Sequence, residues 1–285
     1  MKLRGANFVT GGHFFEIGGD GLSFFPRVRT PDDPNADPET PDERVPTGAA
    51  GLDEMLGGGL PQASSTVVLG GTGTGKTLLG LQFLLEGARV GEPGILFTLE
   101  ETTNQLRRIA QSLGWNLRAL EERKLITLSY VSPVELSTDR FLDQARQDVA
   151  RLGARRVVLD SLTSMGLGVS SERRFKELVY AITKHFRAAG VTFNMNMEIT
   201  DLLGSAQLSG HGVSFAADNV IQLKYVEVDG SLARGISVLK ARGVRHATDV
   251  RRLSFAPGRI DVGSAFAGMR GVLTGLPVPI KSGDS

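Results

Sequence analysis

The chain contains no cysteine. That excludes disulfides and thiolate metal sites, and it suits a reducing compartment, so a cytoplasmic protein is expected. An excess of either charge is missing as well. The 285 residues carry 32 Lys and Arg against 31 Asp and Glu, a net charge of +1, which argues against nucleic acid or an anionic membrane as a partner. No apolar run is long enough to span a bilayer and there is no signal-peptide pattern, so a soluble protein without a membrane role is expected. Histidines number only four, and His211 has no companion at metal-ligand spacing, which leaves no zinc site. Tryptophan occurs once, as Trp115, and reads as packing.

Glycine, by contrast, is plentiful, and eight residues concentrate its use. Gly70-Gly71-Thr72-Gly73-Thr74-Gly75-Lys76-Thr77 spells G-x-x-x-x-G-K-T. Glycines let backbone N–H groups curl around a phosphate where side chains would clash. The lysine then supplies a point charge to the β- and γ-phosphates, and the threonine hydroxyl serves Mg²⁺. The β-branched run Ser65–Leu69 precedes the loop, and a helix-like run of leucines from Leu78 follows it. Strand, loop and helix are the context this motif requires, and the helix start adds its positive end. Gly71, Thr72, Gly73, Thr74, Gly75, Lys76, Thr77 and Leu78 are therefore the candidate ATP-binding residues.

Acidic residues fall where the loop would need them. Asp160 ends the apolar strand Arg156-Val157-Val158-Leu159 and is the candidate partner of Thr77 in holding Mg²⁺. Glu100 and Glu101 end a second strand, Gly94–Leu99. Sites on parallel sheets lie at the carboxyl ends of strands, so one of these glutamates can orient or deprotonate an attacking water. Capping of the helix from Thr102 is the alternative use. Lys240 and Arg242 close a late strand; they either guard a solvated sheet edge or reach a γ-phosphate on a neighbouring subunit.

From Thr47 the chain alternates strand and helix, which predicts a mostly parallel sheet covered by helices on both faces. After residue 216 the pattern changes. Ala217–Val228, a turn at Asp229-Gly230, and Ala233–Lys240 predict an antiparallel hairpin at the sheet edge. Ser164–Ser171 and Thr200–Phe215 read as glycine- and serine-bearing loops. A short repeat links the two ends of the chain: Lys2-Leu3-Arg4-Gly5 resembles Lys240-Ala241-Arg242-Gly243, and the same shift of 238 positions lays Phe15-Glu16-Ile17 on Leu253-Ser254-Phe255. Residues 1–25 are then the closing strands of an upstream copy of the same domain. Residues 26–46, with six prolines, form a linker, residues 47–270 the domain proper, and residues 271–285 a tail.

With these residues in place, the chain resembles the KaiC branch of the RecA-like P-loop ATPases. The resemblance rests on Thr47–Gly59, the glycine loop, Phe97-Thr98-Leu99-Glu100-Glu101, Leu159-Asp160-Ser161-Leu162 and Lys240-Ala241-Arg242-Gly243. It implies a RecA-like core in a homo-hexameric ring, with ATP at subunit interfaces. Glu100 and Glu101 would lie near the hydrolytic water, with Lys240 and Arg242 reaching across. It also implies a regulatory protein partner and autophosphorylation at a Ser-Thr pair that here reads Ser214-Phe215, so only Ser214 could be a phosphorylation site. A serine autokinase and a RecA-like DNA-binding recombinase or helicase module stand as alternative functions.

Overall fold

The computed structural model describes residues 13–19, 21–25, 43–169, 171–199, 216–266, 269–270 and 278–279. Two strands, β1 (Phe14–Gly18) and β2 (Gly21–Phe25), form a separate antiparallel hairpin. Then come β3 (Arg44–Val45), α1 (Ala50–Met55), β4 (Leu60–Pro61), β5 (Ser65–Gly70) and α2 (Lys76–Arg89). β6 (Gly94–Thr98), α3 (Thr103–Ser112), α4 (Leu117–Glu122) and β7 (Ile126–Tyr130) follow. The alternating part ends with α5 (Thr138–Leu152), β8 (Arg156–Asp160), α6 (Leu162–Leu167), α7 (Glu172–Ala188) and β9 (Thr192–Glu198). β10 (Asn219–Val228), β11 (Ser231–Ala241), β12 (Arg251–Ala256) and β13 (Arg259–Ala265) make an antiparallel run.

Nine strands join in one sheet in the order β13-β12-β11-β10-β5-β9-β8-β6-β7. The six from β10 to β7 are parallel, as strand–helix alternation demands. Period-2 alternation divides the core between the two faces. Val67 and Leu69 of β5 point toward α5, α6 and α7, whereas Val68 points toward α1, α2, α3 and α4. β5 is buried along its whole length because β9 and β10 flank it and helices cover both sides. Apart from α1 and α2, the helices begin where a side chain takes up free N–H groups. Thr102 and Gln105 form a capping box at α3, and Ser137, Ser161 and Ser171 cap α5, α6 and α7.

Two expectations need correction. The late hairpin β10–β11 is not at the edge: β12 pairs with β11 across Arg234–Ile236 and β13 closes the sheet beyond it. Strand character around Leu253-Ser254-Phe255 was expected, but its place in the sheet was not; within 251–265 only Leu253 of β12 and Ile260 of β13 are fully buried. The stretch from Ser164 is not all loop either. Ser161 accepts from the Ser164 N–H, and α6 buries Leu162 and Met165. The helix α4 was also not expected; Asn116 caps it and Leu117 anchors it. Thr200–Phe215, with Ser214 and His211, lies outside the described residues. Trp115 is buried in the core, as its isolation suggested.

Candidate functional site

The glycine loop leaves the carboxyl end of β5 and turns into α2 at Gly75, whose φ of +108° an L side chain rarely adopts. Space reinforces the choice. A Cβ at Gly70 would lie 2.8 Å from the Leu223 carbonyl oxygen, and one at Gly75 would press on the Phe255 ring. Thr74 is buried and donates to the Gly71 carbonyl at 2.8 Å, which holds the loop's curl. The Lys76 ammonium crosses the loop and donates to the carbonyls of Gly70 (2.8 Å) and Gly71 (3.0 Å). Leu78 is half-buried on the first turn of α2.

Neighbouring strands bring the acids to this loop. β6 and β8 pair so that Thr98 faces Asp160, and the chain after Thr98 continues into Glu100 and Glu101. Thr77 Oγ1 donates to Asp160 Oδ2 at 2.6 Å. Burial raises the Asp160 carboxyl above its ordinary range, the Thr77 hydroxyl opposes the rise, and the nearby Glu100 charge adds to it. The two glutamates are used differently. Glu100 Oε1 accepts from the hydroxyls of Ser161 and Ser164 at the start of α6. Glu101 Oε2 is buried with no hydrogen bond among the described residues. Burial, then the charges of Asp160 and Glu100, raise its carboxyl. The oxygen set fits Mg²⁺, which keeps several waters and takes one or two protein oxygens beside a substrate phosphate. Among the described residues no group of three His, Cys, Asp or Glu could hold a metal alone.

Three residues at the loop escaped the sequence reading. Tyr225 Oη (2.8 Å) and Arg234 Nε (3.3 Å) both donate to the Gly73 carbonyl, and the Arg234 guanidinium lies 5.4 Å from the Tyr225 ring and 5.1 Å from that of Phe255. Thr72 Oγ1 donates to Glu198 at the end of β9. A signal existed for one pair: the tight Asp229-Gly230 turn sets Val228 against Ser231, and counting back places Tyr225 opposite Arg234.

Lys240 and Arg242 are not at this loop. β11 runs back so that Lys240 pairs with Val220 and Ala241 with Asn219, which in turn faces Thr66 at the start of β5. They sit at the opposite end of the sheet from the loop, about 13 Å along β5. Lys240 Nζ donates to the Ala217 carbonyl at 2.6 Å.

A strand, a glycine loop with a lysine laid across it, and a threonine–aspartate pair at the mouth of a parallel sheet define a P-loop nucleotide-binding domain of RecA-like form. The family model described as "ATPase: KaiC" matches residues 45–265, and the chain belongs to that family. It is 31% identical over 281 residues to the circadian clock oscillator protein KaiC of Acaryochloris marina, covering 99% of this chain and 53% of that protein. The KaiC of Thermostichus vulcanus matches at 31% with the same coverage. The chain thus spans about half the length of the curated relatives it matches. Among solved structures, a KaiC-like protein from Pyrococcus horikoshii superposes with a TM-score of 0.71 at 33% identity, covering 79% of this chain and all of that one. No described helix is long and apolar enough to cross a membrane.

Proposed function

We propose that this chain binds ATP with Mg²⁺ and hydrolyses it slowly, at sites completed by a neighbouring copy in a homo-hexameric ring. One observation carries the reading. The loop, Thr77, Asp160 and the two glutamates gather at one end of the sheet, while the cations Lys240 and Arg242 stand at the other. A head-to-tail ring brings the second end of one copy to the first end of the next.

In this reading the loop amides and the α2 start hold the β-phosphate, and Lys76 leaves the two carbonyls for the phosphate oxygens. Thr77 and Asp160 hold Mg²⁺, which when bound draws charge from the phosphates. Glu101 takes the proton of the attacking water: its raised carboxyl is matched to that task, and one oxygen is uncommitted. Glu100, held by Ser161 and Ser164, orients that wall. Arg242 and Lys240 from the neighbour stabilise the developing charge, a contribution of about a thousandfold or more in rate. Without them a lone copy turns over slowly.

Residues 1–25 are read as the closing strands of a preceding domain of the same kind. The support is register. Phe15 pairs with Phe24 and Ile17 with Leu22, and the 238-position shift carries these pairs onto Leu253–Val262 and Phe255–Ile260. Leu253 and Ile260 are 3% and 2% exposed and Phe255 and Val262 half-buried, whereas Phe15, Ile17, Leu22 and Phe24 are 51–78% exposed.

Subunit mixing tests the shared site. Glu101→Gln and Arg242→Ala copies are each expected to hydrolyse ATP poorly, and a mixture assembled before nucleotide is added should exceed both. A mixture no better than its parents, or a mass in solution that stays monomeric with Mg-ATP, refutes the ring reading.

A further inference from the structure

The cations at the far end of the sheet are not free-standing. Asp218, immediately before β10, is a buried carboxylate at the hub of a cluster. Its Oδ2 accepts from the Ser65 N–H and the Ser65 hydroxyl, each at 3.0 Å, and from Arg187 at the end of α7. Its Oδ1 faces the Arg242 guanidinium at 3.7 Å. The backbone repeats the link: Arg242 N–H donates to the Asp218 carbonyl at 3.0 Å, and Lys240 Nζ donates to the preceding carbonyl, Ala217. Both cations therefore rest on the single step Ala217–Asp218. Ser65, which grips that step, is the first residue of β5, and β5 ends in the glycine loop.

We infer that Asp218 is a positioning residue for hydrolysis at the neighbouring copy's site, holding Arg242 and Lys240 in the orientation that completes it; the inference rests on the shared-site reading above. The chemistry supports a positioning role over a purely structural one. A carboxylate that only tied α7 to β5 would need Arg187 and Ser65 alone. Here the other oxygen is turned toward Arg242, whose side chain is 63% exposed and able to reach outward. One oxygen anchors, and the other aims a long, otherwise mobile side chain. Burial works against the Asp218 charge, but the hydrogen bonds from Arg187 and Ser65 outweigh it and keep the carboxyl below its ordinary range. The anchor stays ionised at any working pH above the usual carboxylate range.

The test uses Asp218→Asn in the full chain. The side chain keeps its shape, so the Ser65 contacts can persist while the charge facing Arg242 is lost. The expected result is a turnover lower by about tenfold to a hundredfold, as a displaced catalytic group gives, with affinity for a fluorescent ATP analogue unchanged. Mixing with Glu101→Gln should restore turnover. In an even mixture about a quarter of interfaces join an intact glutamate to an intact finger. Wild-type turnover in Asp218→Asn overturns the inference. So does a slow Asp218→Asn that Glu101→Gln fails to rescue while the Arg242→Ala mixture recovers, because the defect then lies in the whole subunit. If neither mixture recovers, the shared site itself is wrong and the inference goes with it. Should Asp218→Asn lose nucleotide binding, Ser65→Ala, which removes one hydroxyl from the same anchor, enters the same assay: severalfold slower turnover that Glu101→Gln rescues supports the inference, and wild-type turnover refutes it.

Discussion

Gly75 is where the loop's backbone and its tertiary surroundings make the same demand, so Gly75→Ala separates the two. At φ +108° an alanine is in strained backbone, which costs about 1–3 kcal/mol. Its Cβ would also stand 3.0 and 3.1 Å from the two Cε atoms of Phe255, closer than ordinary contact, with Cζ nearer still. Forcing that ring away is an overpacking of about 1–3 kcal/mol. Phe255 cannot retreat without consequence, since it stacks on Arg234, which donates to the Gly73 carbonyl inside the loop. The expected total is about 2–6 kcal/mol, read as lost stability in urea unfolding and as weaker ATP-analogue binding. The double variant Gly75→Ala, Phe255→Ala removes the collision but not the strain. In the Phe255→Ala background, Gly75→Ala should therefore cost about 1–3 kcal/mol less than it does alone, a coupling measurable by a double-mutant cycle. Additive costs would show that Phe255 does not press on the loop. Unchanged stability and affinity in Gly75→Ala would refute the argument from φ as well.

Two other outcomes follow from buried charge. Glu101 has a raised carboxyl, so its ionised form opposes folding. That opposition is absent below the unfolded value of about 4.3 and grows as pH rises through the folded one. Glu101→Gln should therefore melt about 2–4 °C higher at pH 8, about 1 kcal/mol after allowing for partial exposure. It should match the parent near pH 3; thermal melts at both pH values decide it, and equal melting at pH 8 refutes the reading. Arg156 is buried on β8, with Glu92 at 2.7 Å, the carbonyls of Pro46 and Phe83 at 2.7 and 3.0 Å, and the Phe83 ring 4.8 Å away. Arg156→Ala leaves a hole and unpaired acceptors, and should cost about 3–5 kcal/mol in denaturant unfolding. A loss under 1 kcal/mol would show that the site is wetter than its burial implies.

The sequence by itself determined the cradle and the sheet's class. The eight loop residues are contiguous, so their geometry follows from glycine's freedom and the flanking strand and helix. The strand–helix alternation left only a parallel sheet, and the rule that sites lie at strand carboxyl ends named Asp160, Glu100 and Glu101 before any contact was known. The starts of α2 and α3 were legible to within a few residues, whereas the short helices α4 and α6 were not. Tertiary structure alone decided what depends on which strands are neighbours. Thr77 meets Asp160 across 83 positions, Ser65 meets Asp218 across 153, and Tyr225 meets Gly73 across 152. Only the order β10-β5-β9-β8-β6 brings these together, and nothing in a strand's own residues says which strand will lie beside it. For the same reason Lys240 and Arg242 read equally well as edge guards or as fingers. The reversal of β11 sets them at the end of the sheet away from their own loop, which neither strand's residues announce.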